Sequence, residues 1–361
     1  MSIGGSVDEL ETPALLVDLE ILDGNIRRMA ETFREAGVGW RPHTKAIKIP
    51  ALAHRLLAAR AHGITCAKLA EAEVMAQAGI RDILITGPVV GRRKVARLAL
   101  LALQADPIAT VDCLEHVDAL DEAAQTYGSR VRVVIEVDIG MHRCGVQPGE
   151  PVVALAREIH ERRGLRFAGL MAWEGHALRV TPIEEKRRVV EESVGLLLDS
   201  ARRCREAELP VEIVSCGGTG TYPLSAAVGG ITEVEAGGGI YGDLVYRSYG
   251  IDHPQAMTVL ATVISRPTPT RVVTDAGFKS LGTAHTLPQA KGLDGVASAK
   301  FSAEHGTAEL EQSNESVRVG DRLEWYVGYT DSTVFLHDVL YGVRGGTVEV
   351  AWPILGRGKL Q

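Results

Sequence analysis

Eight short apolar runs, most of them followed by a stretch with helical spacing, leave this chain few architectures to adopt. They fall at 37–41, 64–67, 82–86, 108–111, 131–137, 167–173, 212–215 and 232–235. Helical runs at 49–62, 69–78 and 151–162 lie between them, and the longest, 182–206, reads as capped by Thr181 with Pro182 at its first helical position. Strands that alternate with helices pair in parallel, and eight such units meet the count of a closed (β/α)₈ barrel. Upstream, 14–17 reads as a strand and 7–10 as a shorter one. Asp18 reads as the cap of a helix that aligns Leu22, Ile26, Met29 and Phe33 on one face.

From about Ala256 the texture changes. Runs at 259–265, 270–274, 296–298, 322–327, 333–337, 339–343 and 347–352 are short and strand-like, with no long helix between them. Gly345-Gly346 marks a hairpin between the last two. The sequence therefore predicts a barrel over 12–255 and an all-β domain over 256–361, joined by residues 1–11.

In such a barrel, ligand-handling groups gather at the carboxyl ends of the strands. Those ends carry Arg41-Pro42-His43-Thr44-Lys45, Thr86, Asp112, Asp138, His142, Arg143, Trp173-Glu174-Gly175-His176, Gly217-Gly218-Thr219-Gly220-Thr221 and Gly237-Gly238-Gly239. Pro42 fixes its own φ and biases Arg41 to extended backbone, which sets Lys45 just past a strand end. A desolvated lysine amine there can form a Schiff base with a carbonyl. The two glycine clusters follow the seventh and eighth strands, where barrels commonly hold phosphate, and neither is a Walker loop. Glycines let backbone N–H groups approach phosphate oxygens, with Thr219 and Thr221 as added donors. A phosphate site and a strand-end lysine together point to pyridoxal 5′-phosphate.

Seven motifs, from Arg41–Lys45, Gly63–Cys66, Gly140–Gly145, Trp173–His176 and Ser215–Thr221 to Thr232–Gly237 and Thr333–Asp338, resemble those of the D-threonine aldolase and D-serine dehydratase group. The resemblance spans nearly the whole chain. It implies a pyridoxal phosphate-binding barrel of the alanine racemase type with a C-terminal β domain, a homodimer, and lyase chemistry on D-3-hydroxy amino acids. Lys45 matches the Schiff-base lysine and Arg143 the arginine beside the cofactor's phenolic oxygen. Gly217, Gly218, Thr219, Gly237 and Gly238 match the phosphate cradle, and Glu235 falls where the last strand faces the pyridine ring. Trp173 stands where the family usually has tyrosine. Metal-dependent members hold a divalent ion (Mn²⁺, Mg²⁺ or Zn²⁺) on a histidine and, two residues on, an aspartate or cysteine. Here Tyr329 replaces that histidine and Asp331 is the ligand that remains, so weak or absent metal binding is expected.

The activity that follows is retro-aldol cleavage of a D-3-hydroxy-α-amino acid to glycine and an aldehyde, with Lys45, His43, Tyr329 and Asp331 as catalytic candidates. A dehydratase on the same substrates is the nearest alternative, an amino-acid racemase a further one, and a non-catalytic cofactor carrier belongs to a different class. A formal charge of −7 without a basic block speaks against nucleic acid and anionic membranes. No leader-like start, no apolar run near 18 residues and five scattered cysteines without a CxxC spacing fit a cytoplasmic protein with reduced thiols.

Overall fold

The computed structural model describes residues 3–361. Its chain divides into two compact units: residues 28–45, Pro50–Gly237 and Lys359–Gln361 in one, and residues 3–27, Ala46–Ile49 and Gly238–Gly358 in the other. Residues 1 and 2 of the segment assigned by sequence to the β domain lie outside the described residues.

The first unit holds eight parallel strands: Gly39–Trp40, Ile64–Cys66, Asp82–Ile85, Asp106–Val111, Val131–Glu136, Leu165–Met171, Ile213–Cys216 and Glu233–Val234. From the second to the eighth, each pairs with the next in chain order, and the last returns to the first through Gly39 N–H on Thr232 C=O and Arg41 N–H on Val234 C=O. The ring closes where His62 N–H donates to Trp40 C=O and Thr65 N–H to Pro42 C=O. All eight runs expected from the sequence are these strands. They are apolar because both faces are covered: Leu84, Ile108, Val134, Ala168, Met171 and Ile213 form one buried cluster. The helices Pro50–Ala58, Leu69–Gln77, Glu150–Glu161 and Ile183–Glu206 fall where the periodicity puts them. The last begins one residue later than expected, because Pro182 is extended (ψ 178°) and occupies the cap position itself.

The second unit is a nine-stranded, mostly antiparallel sheet. Its main path runs Val296–Phe301, Gly306–Leu310, Arg271–Thr274, Met257–Thr268, Ala14–Asp18, Val339–Arg344 and Thr347–Pro353, and Arg322–Tyr326 pairs with Met257–Thr268 and Gln289–Lys291. Gly345 and Gly346, both at positive φ, make the hairpin. Trp325 is fully buried, edge-on to Phe301, with its indole N–H on Thr274 Oγ1. Three expectations are corrected here. The strand Ala14–Asp18, placed with the barrel from sequence, pairs antiparallel with Met257–Thr268 and parallel with Val339–Arg344. Residues 7–9 form a 3₁₀ turn because Ser6 Oγ accepts Asp8 N–H. Residues 333–337 are not a strand: the Thr333 hydroxyl bonds back to Tyr329 C=O and accepts Gly282 N–H, which holds Thr333 in a helical conformation. Asp18 caps the helix Leu19–Ala36 as expected, its Oδ1 accepting from Glu20 and Ile21 N–H.

Candidate active site

In the barrel unit, the first strand sends two side chains of opposite fate from one segment. Arg41 is buried and its guanidinium bonds Glu233 and Asp82, each at 2.8 Å. Gly63 has no Cβ because one would lie 2.3 Å from that guanidinium. Lys45 sits two residues beyond His43 on a 3₁₀ turn and is half-buried. His43 Nδ1 accepts Lys45 N–H and its Nε2 lies 3.5 Å from Thr86 Oγ1, so the imidazole braces the lysine backbone. Gly237 packs so tightly on this segment that a Cβ there would fall 2.1 Å from His43 C=O.

Trp173 ties the lysine to the rest of the barrel end. The Lys45 ammonium stands 5.7 Å from its ring centroid and the Arg143 guanidinium 5.3 Å. The indole nitrogen would lie 2.8 Å from a Cβ on Gly218. One aromatic ring thus touches the lysine, the arginine and the glycine loop. Arg143 is half-exposed and lies 3.6 Å from the Glu136 carboxylate. Burial raises the Glu136 pKa, Arg143 works against that, and Asp112 adds to it. The loop before Arg143 is ordered by Asp138, which accepts from Gly140 and His142 N–H.

Gly217 (φ 82°) opens a turn closed by Thr221 N–H on Gly218 C=O. Behind it lies Glu174, fully buried, which accepts from Gly217 N–H, the Thr221 hydroxyl and the Ser225 hydroxyl. Among the described residues, nothing accepts the N–H groups of Thr219 and Gly220, although both residues are buried. Buried backbone donors without acceptors are rare and call for a ligand or water. Two adjacent N–H groups on a glycine turn suit an anion, so this loop fits the phosphate expected of it. In the second unit, the N–H groups of Gly238 and Gly239 likewise have no acceptor among the described residues, and Tyr246 packs where a Gly238 Cβ would be.

Glu235 is buried one residue past the barrel's last strand, where its carboxyl accepts from the Ser215 hydroxyl at 2.9 Å. Burial pushes its pKa up to about 8, against that bond, with Glu233 adding to the rise. The folded protein therefore keeps a proton at neutral pH that the unfolded chain releases. This contribution to stability is complete below the ordinary carboxyl range and is lost as pH rises through about 8. Urea titrations of the cofactor-stripped protein should show wild type losing on the order of 3 kcal/mol more than Glu235→Gln between about pH 5 and pH 9. Parallel pH profiles would mean that Glu235 titrates normally.

The second unit carries Tyr329 and Asp331. Tyr246 OH donates to Asp331 Oδ2 at 3.4 Å, and Tyr329 shares hydrogen bonds with both. His285 stands edge-on to the Tyr329 ring at 5.2 Å. Asp243 organises the cluster from below, accepting from Thr330 N–H, the Thr330 hydroxyl and Tyr246 N–H. Burial drives the Tyr329 pKa well up, and Asp331 raises it further. A phenol so far from ionisation is a poor metal ligand, and the residues at this position do not fit a tightly held divalent ion. His337 and Asp338 are engaged elsewhere, with Ser280 C=O and Arg357. The one trio of metal-capable side chains among the described residues, Asp112, Cys113 and His116, ends a different barrel strand, and Asp112 there already accepts Gly145 N–H.

Glu174, Ser215, Asp243 and Tyr246 were not assigned roles from the sequence. Glu174 lies inside a motif that was recognised, and its position after a barrel strand was the available signal. Asp243 and Tyr246 follow the second glycine cluster without a pattern of their own.

The alanine racemase N-terminal domain model matches residues 17–245, and a putative serine dehydratase domain model matches 256–343. A D-threonine aldolase from Arthrobacter sp. is 36% identical over 98% of this chain and 95% of its own. The crystal structure of a D-threonine aldolase from Filomicrobium marinum superimposes with a TM-score of 0.96 at 34% identity, covering 100% of both chains. The D-threo-3-hydroxyaspartate dehydratase from Delftia sp. HT23 gives a TM-score of 0.89 at 27% identity over 97% of this chain and 99% of that one.

Proposed function

Because the chain belongs to the family of alanine racemase N-terminal domains, joined here to a serine dehydratase-type domain, we propose that it is a pyridoxal phosphate-dependent lyase. It cleaves the Cα–Cβ bond of a D-3-hydroxy-α-amino acid to give glycine and an aldehyde. The observation that carries this is the Trp173 ring, which touches Lys45, Arg143 and the glycine loop whose buried N–H groups lack acceptors. The full-length likeness to D-threonine aldolases supplies the reaction class.

Lys45 would hold the cofactor's aldehyde and Arg143 its phenolic oxygen, while Gly217, Gly218, Thr219, Gly237 and Gly238 would receive its phosphate. When bound, the cofactor supplies an electron sink for the negative charge left at Cα. Glu235, protonated at neutral pH, is assigned to the ring nitrogen, where it holds the proton. His43 keeps the Lys45 backbone in place, and Trp173 packs between the lysine and the arginine. The substrate's β-hydroxyl must lose its proton as the carbon–carbon bond breaks. Asp331, with Tyr329 and Tyr246 on its oxygens, is assigned to take it, and the proton balance closes when Cα is protonated to give glycine. A homodimer in a reducing cytoplasm belongs to the same reading. Its five free cysteines suit that compartment, and no helix among the described residues is long and apolar enough to cross a membrane.

The likeness to a dehydratase favours one second reading, loss of the hydroxyl instead of cleavage. Product analysis on a panel of D-3-hydroxy amino acids decides between them: glycine and an aldehyde support the proposal, whereas an oxoacid and ammonia replace it. The Tyr329 position adds a prediction about metal. Activity should survive exhaustive EDTA dialysis within about twofold, since a phenol held neutral contributes little as a ligand. Tyr329→His should make activity respond to added Mn²⁺. A stoichiometric ion in the native protein, lost together with activity on chelation, would overturn the metal-independent reading.

A further inference from the structure

Four of the five residues at 184–188 in the helix Ile183–Glu206 pair with one another at the surface: Arg187 with Glu184, and Arg188 with Glu185. Lys186 turns the other way. It is 2% exposed, and its ammonium donates to Gly220 C=O at 2.7 Å. A lysine is among the residues least often buried, and an apolar side chain of similar length would fill the space without the cost of desolvating a charge. Its place therefore asks for a reason beyond packing.

Glu174 supplies one. Its carboxylate fixes the glycine loop from behind through Gly217, Thr221 and Ser225, all neutral donors. It thereby sets a buried negative charge beside a loop whose free N–H groups suit an anion. Unopposed, that charge would repel the group the loop is shaped to hold. Burial lowers the Lys186 pKa, and Glu174 is the charge that works against this.

We propose that Lys186 is a positioning residue for the cofactor's phosphate: it offsets Glu174 behind the glycine loop and pins the loop's outer carbonyl, leaving Thr219 and Gly220 N–H turned to a dianion. This rests on the reading that the loop binds phosphate. The two partners divide the work. Glu174 draws in the hydroxyls and the Gly217 N–H that set the turn. Lys186 makes the neighbourhood electrically neutral, so that the backbone donors decide what binds.

The test compares pyridoxal phosphate with pyridoxal, which keeps the aldehyde and ring but lacks the phosphate. The holoenzyme is resolved and reconstituted with each, and equilibrium binding is read by absorbance. Wild type should prefer the phosphorylated form strongly. Lys186→Met should weaken pyridoxal phosphate by at least about tenfold while changing pyridoxal by less than about threefold, the effect of an unopposed nearby charge. Lys186→Arg should keep most of the preference. The double variant Glu174→Gln/Lys186→Met, which removes both charges, should recover most of it and serves where Lys186→Met alone fails to fold. Equal weakening of both compounds in Lys186→Met, or a double variant that loses the preference, overturns the proposal. A wild type without any preference would instead overturn the phosphate reading itself, whatever Lys186 does.

Discussion

Lys45→Ala protein should fold as wild type does and yet lose activity by about 10³-fold or more, with no borohydride-trapped pyridoxyl adduct on the chain. The two halves of this expectation have separate grounds. Lys45 is half-buried on a 3₁₀ turn, with its ammonium over the Trp173 ring. A cation–π contact of that kind contributes roughly 0.5–1 kcal/mol at a part-exposed site, so truncation should change stability by no more than about 1 kcal/mol. The chemistry, by contrast, has no substitute amine in the right place. Lys48 is buried in a left-handed conformation (φ 56°), its carbonyl taken by Gly356 N–H, and Lys68 is exposed at the start of the helix Leu69–Gln77. Losing a covalent nucleophile removes a whole reaction route, which is why the expected effect is so much larger than that of losing a contact. Peptide mass after borohydride reduction reads the outcome. An adduct persisting on Lys48 or Lys68 in the variant would move the cofactor to another segment and overturn the site.

The barrel was legible because its strands are covered on both faces and separated by helices, a pattern that survives in one-dimensional form. Ala14–Asp18 shows the limit. Its first four residues are all buried, as a barrel strand's would be, and only its long-range pairing with Met257–Thr268 and Val339–Arg344 reveals which sheet it joins. Residues 333–337 failed for a local reason. Thr333 and Val334 have high strand propensity, but a side-chain hydrogen bond from Thr333 to the preceding turn outweighs it. At the site, Lys45 could be found because proline punctuation and strand position single it out. Lys186 could not, by its type: its spacing puts it on the face that Val190, Val194, Leu197 and Cys204 bury, but a lysine within Glu184-Glu185-Lys186-Arg187-Arg188 reads as part of a solvated charged stretch. The Gln289–Lys291 strand is hidden because it is short and largely exposed, and Gly306–Leu310 because the face it buries is Gly306, Ala308 and Leu310, of which only the last is a large apolar residue.

The largest stability effect is expected at Arg41, which lies two residues from His43 but belongs to the barrel's framework. Its guanidinium is 2% exposed and bonds the buried Glu233 and the half-buried Asp82, whose Oδ1 also accepts from Arg132. Burial would raise the Glu233 pKa, but the Arg41 charge and the bonds from His62 and Arg41 outweigh it and bring it down to about 2. Replacing Arg41 with methionine keeps much of the volume and removes the charge. Asp82 retains Arg132, whereas Glu233 is left with His62, whose side chain is 39% exposed. Removing one partner of a buried pair typically costs about 3–5 kcal/mol, far more than the pair contributes relative to an apolar replacement of both. Arg41→Met should therefore lower stability by roughly that amount near neutral pH, a large part of the stability of an ordinary domain. The sign of the pH dependence follows from Glu233. Its depressed pKa gives stability above the ordinary carboxyl range that is lost as pH falls through about 2. Wild type should lose that contribution on acidification, and the variant, whose Glu233 no longer faces a cation at 2.8 Å, has little of it to lose. The gap between the two should thus narrow toward acid pH, and Glu233→Gln in the Arg41→Met background should recover part of it at neutral pH. Urea denaturation of the two single variants and the double variant from about pH 3 to pH 8 reads all of this. A gap that stays constant across that range would show that Arg41 acts through packing alone.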